Sequence, residues 1–400
     1  MSNLTADIQA SILKAKNYVD ALTINSSCNI PKEVVSDEHK FFSWDNEKRT
    51  PSVKPYLFDW SYYNGVVMEG LYDIYQAKPE SGAEYKNYVL EYLDAMLVTD
   101  ENGVHHLNRS LAGYVDHHGA DCYKTAALVM KAFDENPAYA EIMAELYRDL
   151  TNPKHVNSKG DVIVEKYTEE ALGENYWHCW AGGQPPKYKV WLDGIYMLQP
   201  FLAHYAAKIG DTKQLETINT RLNWVADTML APNGMYYHAC NSKDDVCAYH
   251  WTRAMGWYAM AMVDVMEVLP ECYLEERKAA LKLFADGMLK YQDEFGLWAN
   301  LADQPVTEMN RLEVSGTAMM IYMLLKGVRK GWLNESYREP AIKAFNAIVN
   351  TKLHDNVLED IYLKASANNT NNYEIPEYYL PDEGKGSGPF IMAYSEMLYL

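Results

Sequence analysis

The sequence predicts an all-α fold, an (α/α)6 toroid of six helical hairpins, on three observations. Apolar residues recur at three- and four-residue spacing along most of the 400 residues, whereas alternating β-branched runs are scarce and short. The segments marked in this way number twelve. Every second one is introduced by a short stretch that mixes aromatic or charged residues with glycine, at intervals of roughly 60 to 77 residues. Six hairpins of this period can close into a ring with the even helices inside. An open helical solenoid is the competing architecture, but its repeats are shorter than this period.

The elements follow in order. The first helix, near 3–22, carries Ile8, Ile12, Leu13, Ala15 and Val19 at helical spacing, broken by Lys14 and Lys16. It therefore lacks the unbroken apolar core and cleavage site of a signal peptide, and no later stretch reaches the length of a membrane span. The even helices are expected near 60–76, 121–134, 192–208, 251–268, 311–328 and 388–400. Their lead-ins read "FDWSYYNG", "YVDHHGADC", "VWLDG", "YHWTRAMGW", "NRLEVSGTA" and "GKGSGPF". The odd helices are expected near 82–98, 137–150, 212–230, 272–290 and 338–351. Early glycines in the even helices (Gly65, Gly194, Gly256, Gly316, Gly388) allow close backbone approach, as an inner ring requires. No Pro/Gly/Ser-rich linker divides the chain, so residues 1–400 are read as one domain.

Composition limits function. A hydrophobic content of 48% is that of a globular protein, and the net charge of −19 repels polyanions, which argues against nucleic acid as a partner. Six cysteines over this length, at 28, 122, 179, 240, 247 and 272, make no disulfide framework. The chain reads as soluble and cytoplasmic, a monomer or homodimer, with no membrane partner.

In a ring of parallel inner helices the special lead-ins meet at one end, where helix N-termini carry partial positive charge. Arg253, His117, His118, His178, His238 and His250 fall in or near these segments, and most of the ten tryptophans sit near helix starts or in the connecting loops. An aromatic pocket with an arginine, several histidines and few carboxylates suits a sugar acid. Asp193, between Leu192 and Gly194, is either the cap of its helix or a chemical group. Pro200 shares a face with Asp193, Tyr196 and Met197 and should bend the helix. Trp191 and Trp257 serve either as core or as sugar platforms; Arg253 and Trp257, four apart, either stack or form a carboxylate receptor. Asp116 beside His117 is an ion pair, a cap or a second carboxylate, and Glu313 is a cap or a hydroxyl binder. His238, Cys240, Cys247 and His250 form a metal-like set without a regular spacing, so neither metal nor cofactor is expected. No phosphate loop, "GxSxG" elbow or "HExxH" is present.

These residues resemble the unsaturated glucuronyl and rhamnogalacturonyl hydrolases, the six-hairpin glycosidases of glycoside hydrolase families 105 and 88. The resemblance runs through "WSYYNGVVMEGL", "YVDHHGA", "YWHC", "VWLDGIYMLQP", "YYHAC", "HWTRAMGWYAMA", "RLEVSGTAMMIY" and "GSGPFIMAYSEM". Its most specific part is Trp191, Asp193, Gly194, Met197 and Pro200 with Trp251, Arg253, Gly256 and Trp257.

It implies that Asp193 is the general acid and base, protonating C4 of a 4,5-unsaturated uronic acid and then activating the water that adds to C5. The reaction is then hydration of a vinyl ether, without the two carboxylates that displacement at C1 needs. It further implies substrate-binding roles for Trp60, Asp116, His178, Trp191, Met197, His238, Arg253 and Trp257. Asp116 would hold sugar hydroxyls; Arg253 is assigned to the substrate carboxylate from its charge at the convergent end. Cys179 replaces the family's usual lysine, and "HAC" its usual "HAW". Both changes bear on the linked sugar, for which rhamnose in pectin-type oligosaccharides is the expectation and a glucuronyl or sulfated-sugar substrate the alternative. A sugar epimerase using His238 and His250, and a non-catalytic oligosaccharide-binding protein, are the alternatives.

Overall fold

The computed structural model describes residues 5–25, 60–108, 120–151, 188, 190–363 and 378–400. Twelve α-helices occur among the described residues: α1 (Ala6–Leu22), α2 (Tyr62–Ala77), α3 (Ala83–Ala95), α4 (Lys124–Lys131), α5 (Pro137–Thr151) and α6 (Leu192–Ile209), then α7 (Thr212–Met229), α8 (Thr252–Met266), α9 (Glu271–Leu289), α10 (Val314–Arg329), α11 (Arg338–Thr351) and α12 (Gly384–Met397).

The even helices close a ring: α2 packs on α4, α4 on α6, α6 on α8, α8 on α10, α10 on α12, and α12 on α2. Each odd helix from α3 to α11 lies against the even helix before it, while α1 packs on α11 and α12 and so completes the sixth hairpin. Burial follows from this placement. All of α8 is buried, from Thr252 to Met266, so its apolar residues run all the way round; α9 buries only a stripe that includes Leu281, Phe284, Ala285 and Met288. No helix among the described residues is long and apolar enough to cross a membrane.

Glycine sets the inter-helix distance. A Cβ on Gly316 of α10 would lie 2.8 Å from the backbone N of Arg253 on α8, and one on Gly388 of α12 would lie 2.9 Å from that of Val67 on α2. Backbone on the facing helix cannot move aside, so only glycine fits. This also explains why α12 begins at Gly384 and not near 388: the "GKGSG" stretch is the helix's first turn, pressed against its neighbour. The second inner element likewise departs from expectation, opening as a 3₁₀ turn, Ala120–Tyr123, before α4.

Strands are few-residue pieces at the helix-start end of the ring. β1 (Leu97–Thr99) pairs with β2 (His105–Leu107), and β8 (Leu353–His354) with β9 (Val357–Leu358). Those that matter for the site are β3 (Val190–Trp191), β4 (Ala239–Ser242) and β5 (Asp245–Val246) in one antiparallel sheet, and the pairs β6 (Trp298–Ala299) with β7 (Leu312–Glu313) and β10 (Ile361–Tyr362) with β11 (Tyr379–Leu380). They carry out a repeated task. The first N–H of α6 donates to His238 O (3.0 Å), that of α8 to Asn300 O (2.9 Å) and that of α10 to Asp360 O (3.2 Å). Each acceptor lies on the segment leading to the next inner helix, so one otherwise unsatisfied helix-start donor is used to set the register of its neighbour.

Glu313 is the strongest of these joints. Buried at the N-cap of α10, it accepts from Ser315 N, Ser315 Oγ, Gly316 N and Tyr362 N at 2.6–3.1 Å. Of its two expected roles, it is the cap. Glu313→Ala leaves buried N–H groups without acceptors and should lower stability by about 2–4 kcal/mol, read as a reduced urea midpoint; a loss under about 0.5 kcal/mol would contradict the role.

Candidate active site

The site begins where β3 turns into α6. Trp191 is extended (φ −123°, ψ 141°) and occupies the N-cap position, so Asp193 is the second residue of the helix and not its cap. The helix start favours a negative charge there while leaving the carboxylate free for other bonds. It is used: Asp193 Oδ2 lies 2.9 Å from Nε2 of His238. Asp193 keeps some exposure at its side chain (14%) whereas His238 has none. The Trp191 ring meets the His238 ring edge-on at 5.1 Å and is anchored through its Nε1–H to Tyr188 O at 3.0 Å. Trp191 remains partly exposed beside Asp193.

The equivalent position in the ring supplies further groups. The second residue of the 3₁₀ turn before α4 is Asp121, and that turn packs against α6. Asp121 Oδ1 is buried without a hydrogen-bond partner among the described residues. Burial, reinforced by the negative charge of Asp193, pushes its carboxyl well above the usual carboxylate range, against a smaller opposing pull from Lys385. Asp121 was not singled out in the sequence, where Asp116 of the same lead-in was favoured. The signal was available: Asp121 has the same place in its helix start as Asp193. Its folded-state pKa is raised, so ionisation at Asp121 costs stability as pH rises above the ordinary carboxylate range. Asp121→Asn should therefore gain steadily on the wild type as pH rises from 4 to 8, measured as the difference in unfolding free energy; a gap independent of pH would contradict the raised pKa.

The second residue of α8 is Arg253, which is only 3% exposed. Its Nη1 donates to Tyr362 O and its Nη2 to Leu363 O, at 3.4 Å for the latter. The guanidinium thus ties α8 to β10, and Trp257 does not stack under it as an expected partner: Trp257 stacks on Tyr196 (5.2 Å, 19°) and meets Tyr62 edge-on at 6.4 Å. Trp60, Met197 and Trp257 are all within 2% of complete burial and form wall. At the start of α12, Lys385 Nζ lies 2.7 Å from Oε1 of the buried capping residue Glu383. Asp116, His117, His118 and His178 lie outside the described residues.

The metal-like set does not come together. His238 bonds Asp193, while Nδ1 of His250 lies 3.1 Å from Tyr236 O and its ring stacks on Tyr237. Cys240 and Cys247 are both buried, and burial pushes the Cys240 thiol up to about 12. Among the described residues no group of three or more His, Cys, Asp or Glu could hold a metal ion. The two histidines that an epimerase would use are each engaged with a different partner, Asp193 for His238 and Tyr236 O for His250.

A family model described as Glycosyl Hydrolase Family 88 matches residues 38–400. The chain belongs to this family. An unsaturated rhamnogalacturonyl hydrolase of Bacillus subtilis is 23% identical to it over 294 residues, 72% of this chain and 75% of that one. An unsaturated 3S-rhamnoglycuronyl hydrolase of an Alteromonas species is 26% identical over 217 residues, 52% of this chain and 51% of its own. Among solved structures, a family 105 glycoside hydrolase of C. acetobutylicum superposes with a TM-score of 0.69 at 26% identity, covering 86% of this chain and 94% of that one. An unsaturated glucuronyl hydrolase of a Bacillus species shares the fold at TM-score 0.60 and 12% identity, over 96% of this chain and 94% of that one. The family 88 assignment makes the chain a glycosidase and agrees with the all-α ring.

Proposed function

We propose that this family 88 glycosidase removes a 4,5-unsaturated uronic acid from the nonreducing end of short pectin-type oligosaccharides, with rhamnose as the linked sugar. The observation that carries the reading is the pairing of Asp193 with the sealed His238 in the first turn of the third inner helix, in a chain of this family.

Asp193, in its acid form, donates a proton to C4 of the C4=C5 vinyl ether, and positive charge develops across C5 and the ring oxygen. Water adds to C5 and its proton returns to the Asp193 carboxylate, so the residue ends as it began. The hemiketal at C5 opens to a 5-keto sugar, and the hemiacetal left at C1 expels the aglycone as an alcohol. No displacement occurs at C1, and one carboxyl group serves both proton transfers. Burial favours the neutral form of Asp121, and in that form it can donate a hydrogen bond to a sugar hydroxyl where an ionised carboxylate could only accept one. Arg253, Lys385 and the helix N-termini supply the positive potential for the uronate carboxylate. Trp191 offers the open aromatic face, with Trp60, Met197 and Trp257 behind it and Asp116 and His178 as further sugar contacts.

The free thiols Cys240 and Cys272 support a reducing, cytoplasmic setting. The test is the ultraviolet absorbance of the conjugated double bond in unsaturated disaccharides, one of them rhamnose-linked. The wild-type protein should abolish it; persistence of the absorbance across rhamnosyl, glucosyl and sulfated aglycones would overturn the proposal.

A further inference from the structure

Resting on the reading of Asp193 just given, we infer that His238 is a fixed hydrogen-bond donor that decides which oxygen of Asp193 carries the catalytic proton, and that it neither touches the sugar nor relays a proton.

His238 is held on both sides by backbone. Its carbonyl accepts from Leu192 N at 3.0 Å, its N–H donates to Tyr249 O at 3.4 Å, and the next residue, Ala239, pairs with Trp191 across β3 and β4. The side chain is 0% exposed. Of its two ring nitrogens, Nε2 faces Asp193 Oδ2 at 2.9 Å, and Nδ1 is sealed with no hydrogen-bond partner among the described residues. A ring with a single N–H has two tautomers. With the hydrogen on Nε2 it is used by a carboxylate, and the sealed Nδ1 is only an unfilled acceptor; with the hydrogen on Nδ1 a donor is buried unpaired, which costs more. The Nε2–H tautomer is therefore the resting one.

Two consequences follow. Because Oδ2 already accepts from Nε2–H, the acid form of Asp193 carries its proton on Oδ1. That oxygen gives the proton to C4 and later takes one from the water attacking C5, so the proton count closes on Oδ1 alone. Because Nδ1 has no partner to exchange with among the described residues, none of them continues a proton path through the ring. This differs from the sugar-contacting role that the family resemblance implies for His238: a ring with no exposed atom has nothing to offer a hydroxyl.

The test uses the full-length wild type, His238→Gln and His238→Phe on an unsaturated disaccharide that the wild type turns over. Glutamine retains an N–H donor; phenylalanine retains the ring but no donor. Expected is a fall in kcat of about 100-fold for His238→Phe with KM changed less than about threefold, and recovery to within about tenfold of wild-type kcat in His238→Gln. A KM increase with kcat intact, or equal losses in both variants, would overturn the inference. In parallel, ¹⁵N NMR of the histidine ring in wild type should show a protonated Nε2 and an unprotonated Nδ1; the opposite pattern overturns it without reference to any variant. If wild type clears no unsaturated uronide, the functional reading fails, and the NMR result still decides the tautomer.

Discussion

Asp193→Asn should lower kcat on an unsaturated disaccharide by about 10³-fold or more while leaving KM within a few-fold. General acid–base catalysis by a positioned side chain contributes about 10²–10⁴-fold, and here the same carboxyl is asked to act in both directions. Asparagine matches aspartate in shape, and its side-chain carbonyl can still accept from His238 Nε2–H, so the 2.9 Å contact and the start of α6 survive. The loss then belongs to proton transfer and not to folding. The measurement is the initial rate of absorbance decay across substrate concentration, with circular dichroism as the check on structure. Residual activity within tenfold of wild type would remove Asp193 from the acid–base role and reopen the binding-protein alternative.

The largest effect on stability is expected from Lys326→Met. Lys326 sits late in α10 and is buried against Asp264 of α8 at 2.7 Å and Glu267 at 2.8 Å, with Tyr322 OH also on Asp264 at 2.8 Å. On the facing side of the ring, Lys124 and Lys131 hold Glu69, and Lys131 also holds Asp73 at 2.6 Å. Methionine matches the length of the lysine stem but strands the Asp264 carboxylate and leaves Glu267 with Lys330 alone, and removing one partner of a buried pair costs about 3–5 kcal/mol. Burial alone would raise the Glu267 carboxyl, but the Lys326 and Lys330 ammonium groups overcome it and hold Glu267 well below the usual carboxylate range. A depressed acid contributes stability that is present above its unfolded pKa and is lost as pH falls. The gap between wild type and Lys326→Met should accordingly be widest near pH 7 and narrow towards acid. Urea unfolding at pH 7 and pH 4 checks both points; a gap below about 1 kcal/mol at pH 7 contradicts the first. Lys326 is the thirteenth residue of α10, roughly 18 Å along the axis from the helix start where the site lies, so kcat of the folded variant should be unchanged.

Much of this was legible beforehand because helical periodicity and lead-in motifs are local. The twelve helices among the described residues, their pairing into hairpins and the inner placement of the even members all follow from apolar spacing and from glycines that tolerate backbone contact. Asp193 stood out for the same reason, as a carboxylate in an apolar run at the start of an inner helix. Its two readings, cap or chemical group, differed by a single residue of helix register, and spacing does not resolve one residue. The two-residue strands that set the register are also too short to leave an alternating pattern.

What the sequence by itself determined is therefore the class of fold, the end of the ring where chemistry gathers, and the family that the motifs resemble. The tertiary structure decided the partners. His238 meets Asp193 across 45 residues, and Arg253 meets Tyr362 across 109. Asp121 shares its helix-start position with Asp193, and α1 closes the ring beside α12. Each of these depends on closure of the ring, which places the same turn of six separate helices at one mouth, and a local pattern carries no information about which residues that closure brings within hydrogen-bond reach.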